Sequence, residues 1–335
     1  MPRASQKILS ISVAAYNLGD MIDDNLKSFC DSRYIDDIEV LVVDDGSTDD
    51  TPKRVEKYVK KYPKSIRLIQ QENAGPGATV NTGIANATGK YFRMVDGDDW
   101  VNKDDFAKLV EHLKTLNVDA VFTNYIPYHH RKQQMMDVKR ITDMPVGVIF
   151  KLNDYHYTYN PPVQMHNCVF RTEILKKHVK LDDGFYTDSE YTFWPTPYLK
   201  NVIYYDLDVY VYRVAMAGQS TSPEKMRRNR ANHRFILDRH LAFYEKVAPK
   251  LEPGVRNYLA RQMSGFVINH FDIIVLINDS NMTKDVKALF DEIRVNHPDI
   301  FEHLSLDKKY RITAGGKAPL VKAFSVYLRQ RYKHL

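Results

Sequence analysis

The sequence predicts an α/β fold, in which a mixed, mostly parallel sheet is flanked by helices and followed by a helical C-terminal region. Strand-like and helix-like patterns alternate over the first 125 residues, as in a parallel sheet with helices on both faces. After Pro223 only helical patterns follow. Apolar residues make up 44% and charged residues 27% of the 335-residue chain, which excludes disorder, collagen and coiled coil as overall descriptions.

The elements of the first part are predicted from hydrophobic periodicity. The run 38–43, IEVLVV, is apolar throughout, which is typical of a strand that is buried on both faces. In chain order, the predicted strands are 8–15, 38–43, 66–69, 91–95 and 120–123, and the predicted helices are 21–29, 51–62, 78–87 and 104–116.

The pattern changes in the middle of the chain. Residues 125–160 are irregular and rich in Tyr, His, Asp and Pro, which is typical of a functional or mobile loop. A return to the sheet is predicted for 163–170, helices for 171–178 and 189–199, and one or two strands for 202–212. The last predicted helices are 224–247, 255–277, 283–296 and 318–332. We expect residues 1–220 to form a ligand-binding catalytic domain and 221–335 a basic helical region.

The composition also bounds the cellular setting. Two cysteines, Cys30 and Cys168, are too few for a disulfide framework or a multi-cysteine zinc site. No signal-peptide pattern begins the chain, and no segment is apolar over the length of a bilayer. The expected location is the cytoplasm, either free or peripheral on the inner face of the cell membrane.

Charge is distributed unevenly along the chain. Residues 216–335 have a balance of +9, whereas the remaining 215 residues have a balance of −3. No nucleic-acid-binding motif accompanies the basic residues, so nucleic acid is not an expected partner. The arginines within 225–239 form either a solvated helix face or a contact surface for anionic lipid or a diphosphate-linked acceptor. They are Arg227, Arg228, Arg230, Arg234 and Arg239.

The last predicted helix is amphipathic. Leu320, Phe324, Tyr327 and Leu328 share one of its faces, and basic residues flank them. A helix of this kind can lie on a membrane surface. Docking on the catalytic domain and an interface between copies of the chain are the alternatives.

Clustered carboxylates follow two of the predicted strands. Asp44 and Asp45 end the second strand, and the sequence Asp-Gly-Asp-Asp at 96–99 ends the fourth. Ligands bind beyond the carboxyl ends of the strands in open α/β sheets. Carboxylates this close repel one another unless a cation joins them, and hard oxygen ligands suit Mg²⁺ or Mn²⁺. The cluster therefore predicts a divalent-metal site that also holds a diphosphate.

Two motifs at these strand ends resemble a known family. EVLVVDDGSTDDT and, some fifty residues later, GKYFRMVDGDDW are similar to segments of the inverting family 2 glycosyltransferases. This resemblance implies the GT-A fold and a nucleotide-sugar donor, with UDP as the expected nucleotide. It is strong over 8–125 and weaker to about 222.

The resemblance implies roles for individual residues at the donor site. Tyr16 lies beside the base of the nucleotide, and Asp45 accepts from the uracil ring. Asp96 approaches the ribose and, with Asp98, the metal, while Asp99 lies beside them. The remaining implied donor contacts are Asn81, in the loop 75–81, and Arg213, toward the diphosphate. The family often has Arg before that Asn, where this chain has Val80, so a cationic contact is missing.

The resemblance also implies a catalytic base. An Asp with an aromatic residue three positions later takes the acceptor proton in many relatives, and Asp188 with Tyr191 matches that pattern. Thr187-x-x-Glu190 has the form of a capping box, so we expect Glu190 to fold back onto the start of the helix. His166 is interpreted as a satisfied structural histidine, with the acceptor site as the alternative.

The predicted activity is transfer of a hexosyl or N-acetylhexosaminyl group to a polysaccharide or lipid-linked oligosaccharide, with Mn²⁺ or Mg²⁺ as cofactor. A sugar-phosphate nucleotidyltransferase is an alternative, but it would carry a Gly-rich, Arg-containing loop after the first strand. Residues 16–19, Tyr-Asn-Leu-Gly, lack that loop. A non-catalytic sugar-binding relative is the other alternative, and the retained carboxylates disfavour it.

Overall fold

The computed structural model describes residues 7–155, 163–215, 223–277, 279–313 and 317–332. These residues contain ten strands, all of which belong to one sheet. The strands are β1 (Leu9–Ala15), β2 (Ile38–Asp44), β3 (Ile66–Gln70), β4 (Tyr91–Asp96), β5 (Trp100–Val101), β6 (Ala120–His129), β7 (Gln134–Met135), β8 (Phe150–Lys151), β9 (Cys168–Arg171) and β10 (Asn201–Val214).

The sheet is mixed and mostly parallel, which confirms the predicted fold class. Its order is β3-β2-β1-β4-β9-β6-β10-β5, with β7 paired to β6 and β8 paired to β10. The long strands β1, β2, β3 and β4 are mutually parallel, as are β6 and β10. Strand β9 is antiparallel to both β4 and β6, so it runs against its neighbours at the centre of the sheet.

Six helices accompany the strands along the first part of the chain. They are α1 (Met21–Phe29), α2 (Thr51–Lys61), α3 (Pro76–Asn86), α4 (Lys103–Thr115), α5 (Thr172–His178) and α6 (Asp188–Phe193). The predicted strand 120–123 is longer than expected, because β6 continues to His129 into the segment that was predicted to be irregular. The predicted helix 189–199 is shorter, because α6 ends at Phe193.

Seven helices follow in the described part of the C-terminal region. They are α7 (Pro223–Arg228), α8 (Arg230–Val247), α9 (Pro253–Ile277), α10 (Met282–Asn296), α11 (Pro298–Leu306), α12 (Lys308–Thr313) and α13 (Ala318–Tyr332). The single helix predicted over 224–247 is wrong, because the chain breaks it at Asn229. Helices α11 and α12 were not predicted.

The chain divides into two compact units. One comprises Met1–Asp154 with Val163–Val214, and the other Tyr155–Pro162 with Ala215–Leu335. The boundary predicted at 220/221 lies outside the described residues. No helix in the described ranges combines the length and the apolar character needed to cross a membrane.

The core of the second unit surrounds α9, most of whose residues are buried. Val321, Phe324 and Leu328 of α13 are buried, and the Phe324 ring stacks on Phe271 of α9 at 5.7 Å. Half of the apolar face predicted for α13, Phe324 and Leu328, is therefore used inside the unit. Leu320 and Tyr327, which were expected on that face, remain exposed.

Three buried histidines predict that acid destabilises this unit. Burial lowers the pKa of His233 and His240 to about 3 and that of His270 to about 2. An unfolded histidine titrates near 6.5, so below that pH the unfolded chain binds more protons and folding stability falls. Each histidine contributes about 1.4 kcal/mol per pH unit, or about 4 kcal/mol per pH unit for the three together.

The measurement is urea unfolding followed by helical circular dichroism between pH 7.5 and 5. His240→Phe removes one titrating group and should reduce the pH dependence by about a third. A free energy of unfolding that does not change over this range would contradict the prediction.

Candidate active site

The carboxylates at the strand ends lie on one edge of the sheet, as predicted. In the parallel register, Ala15 at the end of β1 pairs with Asp44 of β2, and Ala14 pairs with Asp96 of β4. Strands β6 and β10 run in the same direction as β4, because β9 is antiparallel to both β4 and β6. Arg213, near the end of β10, therefore reaches the same edge.

The loops after β1 and β2 are tied together next to Tyr16. The Asn17 backbone N–H donates to the Ser47 hydroxyl at 2.9 Å, and the Asn17 side-chain oxygen accepts from the Thr48 N–H at 2.8 Å. Asn17 has a φ of 50°, a left-handed conformation that Asn tolerates better than most residues. Tyr16 is 51% exposed, so its ring is accessible for stacking.

Asp45 organises the loop that leads into α3. Its carboxylate accepts from Gln71 Nε2 at 2.8 Å, the Ala74 N–H at 3.0 Å and the Gly75 N–H at 2.9 Å. Gly75 has a φ of 100°, which an L side chain rarely adopts. Asp45 thus fixes the start of the loop 75–81, which was expected near the nucleotide. The contact of Asp45 with uracil stays a prediction.

Asp99 is fixed by contacts from β10 and α1. It accepts from the Tyr210 hydroxyl at 2.6 Å and from the Arg213 backbone N–H at 2.7 Å. The Asn25 side-chain amide donates to the backbone carbonyls of Asp99 at 2.8 Å and Asp96 at 3.1 Å. These bonds fix the turn that presents the carboxylates.

Arg213 is anchored beside this turn rather than free at the surface. Its Nε donates to the Asp98 carbonyl at 2.7 Å, and its Nη2 pairs with Asp24 at 3.0 Å. The guanidinium lies over the Trp100 ring at 4.6 Å. The side chain is 5% exposed, so the positive charge is held next to Asp98. Its predicted contact with diphosphate stays a prediction.

The clustered carboxyl groups have raised pKa values. Burial, followed by repulsion from Asp98 and Asp188, raises the pKa of Asp96 to about 8. Burial, with repulsion from Asp98 and Asp96, raises the pKa of Asp99 well above its usual range. Burial also raises the pKa of Asp98, against an opposing effect of Arg213. A divalent cation would offset the repulsion between these carboxylates and so favour their ionised forms.

His166 lies in the same cluster, which the sequence interpretation missed. Ligand atoms of Asp96, Asp99 and His166 all lie within 4.8 Å of one another. His166 is 8% exposed, and its Nδ1 has no hydrogen-bond partner among the residues that the structure describes, which contradicts the interpretation as a satisfied histidine. Asp98, the predicted ligand, is not part of this group of three, and its role stays a prediction.

The position of His166 follows from the reversed strand β9. The amino end of β9 lies at the edge where the parallel strands end, and His166 precedes that strand. Arg93, a charged residue inside the apolar strand β4, is fully buried and donates to the His166 carbonyl. It lies over the Tyr210 ring at 5.5 Å. The Arg within the largely apolar strand YFRMVD was the sequence signal that a polar group packs against the middle of β4.

Asp188 is the first residue of α6. Its side chain remains open to solvent, yet enough protein surrounds the carboxyl group to raise its pKa through desolvation. The charge of Asp188 in turn raises the pKa of Asp96, so the two carboxylates interact. Asp188 thus joins the cluster at the strand ends, although it lies about ninety residues further along the chain.

The predicted capping box does not form. Thr187 is the N-cap of α6 without a side-chain cap bond. Glu190 is fully buried, and its carboxylate accepts from the Asp182 backbone N–H at 2.6 Å. A tertiary hydrogen bond from the preceding segment therefore replaces the local bond to the helix start. Glu190 is occupied, as expected, but by a different partner.

The segment before Asp188 packs closely against the start of α3. Asn81 donates to the Leu181 carbonyl and accepts from the Leu181 N–H, both at 2.9 Å. A Cβ on Gly77 would lie 1.6 Å from the Asp182 carbonyl oxygen, so only glycine fits there. The side-chain NH₂ and the side-chain oxygen of Asn81 both position this segment. The predicted contact of Asn81 with the nucleotide-sugar donor stays a prediction.

Comparisons with known proteins agree with this geometry. The family model described as "Glycosyl transferase family 2" matches residues 10–179, about half of the chain. The chain is 25% identical over 298 residues to the uncharacterized glycosyltransferase EpsJ of Bacillus subtilis, covering 85% of this chain and 83% of the relative.

Solved structures of other glycosyltransferases share the fold. S. aureus TarS 1-349 in complex with UDP-GlcNAc has a TM-score of 0.61 and 18% identity, covering 98% of this chain and 92% of that chain. A longer TarS chain is matched over 55% of its length. The mannosyltransferase PcManGT from Pyrobaculum calidifontis, in complex with GDP-Man and Mn²⁺, has a TM-score of 0.53 and 18% identity, covering 99% and 89%.

Proposed function

The chain belongs to glycosyltransferase family 2, and on that premise we propose that it is a metal-dependent, inverting enzyme that uses a UDP-sugar. The group transferred is a hexosyl or N-acetylhexosaminyl unit. The acceptor is a hydroxyl of a polysaccharide or a lipid-linked oligosaccharide. The observation that carries the proposal is the cluster of Asp96, Asp98, Asp99 and Asp188 at the carboxyl ends of the strands, in which neighbouring carboxylates raise the pKa of Asp96 and of Asp99.

The donor is held at the edge formed by β1, β2 and β4. Tyr16 stacks on the base, and Asp45 with the loop that it organises faces the uracil. Asn81 completes the donor site from the start of α3. Arg213 places a positive charge beside the diphosphate. A UDP-GlcNAc complex of a neighbour with the same fold supports the choice of a uridine donor.

Asp96 and Asp98 would hold a divalent cation, with His166 contributing a nitrogen ligand. The donor set fits such an ion, because the buried His166 Nδ1 has no partner in the described part of the chain and the carboxyl groups repel one another. Carboxylate ligands suit both Mg²⁺ and Mn²⁺, and an imidazole nitrogen among them favours the transition-metal ion, Mn²⁺, over Mg²⁺. When bound, the cation supplies positive charge for the departing diphosphate.

Asp188 accepts the proton of the acceptor hydroxyl. Its raised pKa makes it a stronger base than a carboxylate with an ordinary pKa, while its openness to solvent leaves room for the acceptor. The oxygen that it activates attacks the anomeric carbon from the face opposite the departing diphosphate, so the configuration inverts. Residues 1–220 form the catalytic domain in this proposal, and 221–335 contact the acceptor, the membrane or another copy of the chain.

A panel of nucleotide sugars tests the proposal. The enzyme is incubated with each donor and a set of glycan and lipid-linked acceptors, with Mn²⁺, Mg²⁺ or EDTA, and nucleotide diphosphate release is measured. We expect release from a UDP-sugar that requires the metal, and a product with inverted anomeric configuration by NMR. Retention of configuration, or a preference for another nucleotide, would contradict the proposal.

His166→Phe is expected to weaken Mn²⁺ binding about 10-fold or more, because it removes a nitrogen ligand but keeps an aromatic ring against the neighbouring tyrosines. The Mn²⁺ affinity is measured by electron paramagnetic resonance with and without UDP. His112→Phe is the control, since His112 stacks on Tyr205 at 4.2 Å in α4. Equal affinity in wild type and His166→Phe would assign the imidazole to packing alone.

A further inference from the structure

The helical C-terminal unit contains a cavity of about 480 Å³ that the proposed reaction does not use. Four arginines line it: Arg227 of α7, Arg228 of α7, and Arg230 and Arg234 of α8. The opposite side is formed by α9 and α10 and includes two carboxylates, Asp285 and Glu292. The lining thus holds four guanidinium groups and two carboxylates, and two further carboxylates outside it, Asp238 and Asp279, pair with the α8 arginines.

The two arginines on α8 are held in place by carboxylates. Arg234 makes a bidentate pair with Glu292 at 2.8 and 3.0 Å and also contacts Asp238. Arg230 pairs with Asp279 at 3.1 Å and with Asp285. A guanidinium has five N–H donors, so these pairs fix its plane and leave donors for a ligand.

The two arginines on α7 carry the unbalanced charge. Arg227 is exposed and makes no hydrogen bond or ion pair with any residue that the structure describes. Arg228 is exposed, and its only ion pair among those residues is with Glu224 at 3.9 Å. These side chains therefore remain available at the cavity, next to the two that are already fixed.

We propose that this cavity binds a doubly charged phosphate group, either a phosphomonoester or the diphosphate of a diester. Guanidinium planes bind phosphate oxygens through paired hydrogen bonds, and a charge of −2 matches the two α7 guanidinium groups, which no carboxylate of the described residues holds within hydrogen-bond distance. Ile274 and Leu289 add apolar surface to the wall, which a sugar ring or a chain next to the phosphate can contact. This inference does not depend on the identity of the donor or of the transferred sugar.

The test measures binding by the full chain with EDTA present, so that metal-dependent binding at the strand-end site does not contribute. Inorganic pyrophosphate and sn-glycerol 3-phosphate are titrated by calorimetry, with glycerol as the uncharged control. We expect both phosphates to bind and glycerol not to bind. The double variant Arg227→Gln/Arg228→Gln should weaken binding at least 10-fold, and it should fold normally because both side chains are exposed.

Two further variants separate a cavity from a general effect of charge. Lys246→Gln removes one positive charge from the same helix, 16 residues after Arg230 and therefore about 24 Å along the axis, and should bind like wild type. Ala288→Phe leaves every charge in place but fills the cavity from an exposed position on α10, and should abolish binding. Phosphate binding that Ala288→Phe leaves unchanged would overturn the proposal.

Vesicles identify the source of the phosphate. Binding to phosphatidic acid vesicles that requires Arg227 and Arg228, with weak binding of the soluble phosphates, supports the site with a lipid headgroup as its ligand. Binding of the soluble phosphates supports a water-soluble ester. The proposal would be overturned if the double variant bound the vesicles and the soluble phosphates as tightly as wild type does.

Discussion

Asp188→Asn is expected to lower kcat by about 10²–10⁴-fold, the usual contribution of a general base. The donor KM should stay near the wild-type value, because Asp188 is proposed to contact the acceptor hydroxyl and not the nucleotide. The substitution keeps the shape of the side chain but removes its ability to accept the proton. Steady-state kinetics with varied donor at saturating acceptor measure both constants.

Glu190→Gln is the matched control, two residues further along α6. Glu190 is buried and accepts from the Asp182 N–H, and the side-chain oxygen of Gln can accept the same bond. We expect kcat near wild type, with a reduced melting temperature from the lost charge-assisted hydrogen bond. Loss of turnover in Glu190→Gln, together with retained turnover in Asp188→Asn, would mean that the roles are reversed.

The parallel part of the sheet could be predicted because each of its strands has a local signature. IEVLVV reads as a buried strand without any knowledge of its neighbours, and β2 is buried along its whole length. In a parallel sheet, the carboxyl ends of such strands necessarily meet at one edge. Asp45 and the 96–99 cluster could therefore be placed together from the sequence alone.

The features that were missed depend on contacts between distant residues. The direction of β9 is set by its pairing with β4 and β6, and no local pattern reveals that His166 comes to the carboxylate cluster. Glu190 matched a capping box in sequence, but the Asp182 N–H, brought close by the packing of Gly77, offered a competing partner.

The helical region shows the same limit. The helix over 318–332 was predicted with its observed bounds, Ala318–Tyr332, because its periodicity is strong. Its apolar face also fitted a membrane surface or an interface, and only the packing of Phe324 against Phe271 reveals that the unit itself covers much of it. Amphipathic periodicity predicts that a face is covered, but not by what.

Asp98→Asn is expected to abolish the response of turnover to physiological metal concentrations. Asn is similar in shape to Asp but lacks the charge that offsets a divalent cation, and residues that only support metal ligands already contribute about 10–100-fold to affinity. A direct ligand should contribute at least as much. We therefore expect the Mn²⁺ concentration for half-maximal turnover to rise at least 100-fold, as measured by donor hydrolysis against metal concentration.

The geometry around Asp98 makes this prediction specific. Arg213 lies against the Asp98 backbone and opposes the rise in its pKa, so Asp98 has more tendency to be ionised than Asp96 or Asp99, which repel each other. An ionised carboxylate is the better metal ligand. Asp104→Asn, an exposed carboxylate paired with Arg33 at 2.9 Å, is the control and should leave the metal response unchanged. Full activity of the wild type in EDTA, or a wild-type metal response in Asp98→Asn, would remove Asp98 from the metal site and leave Asp96, Asp99 and His166 as the group to test next.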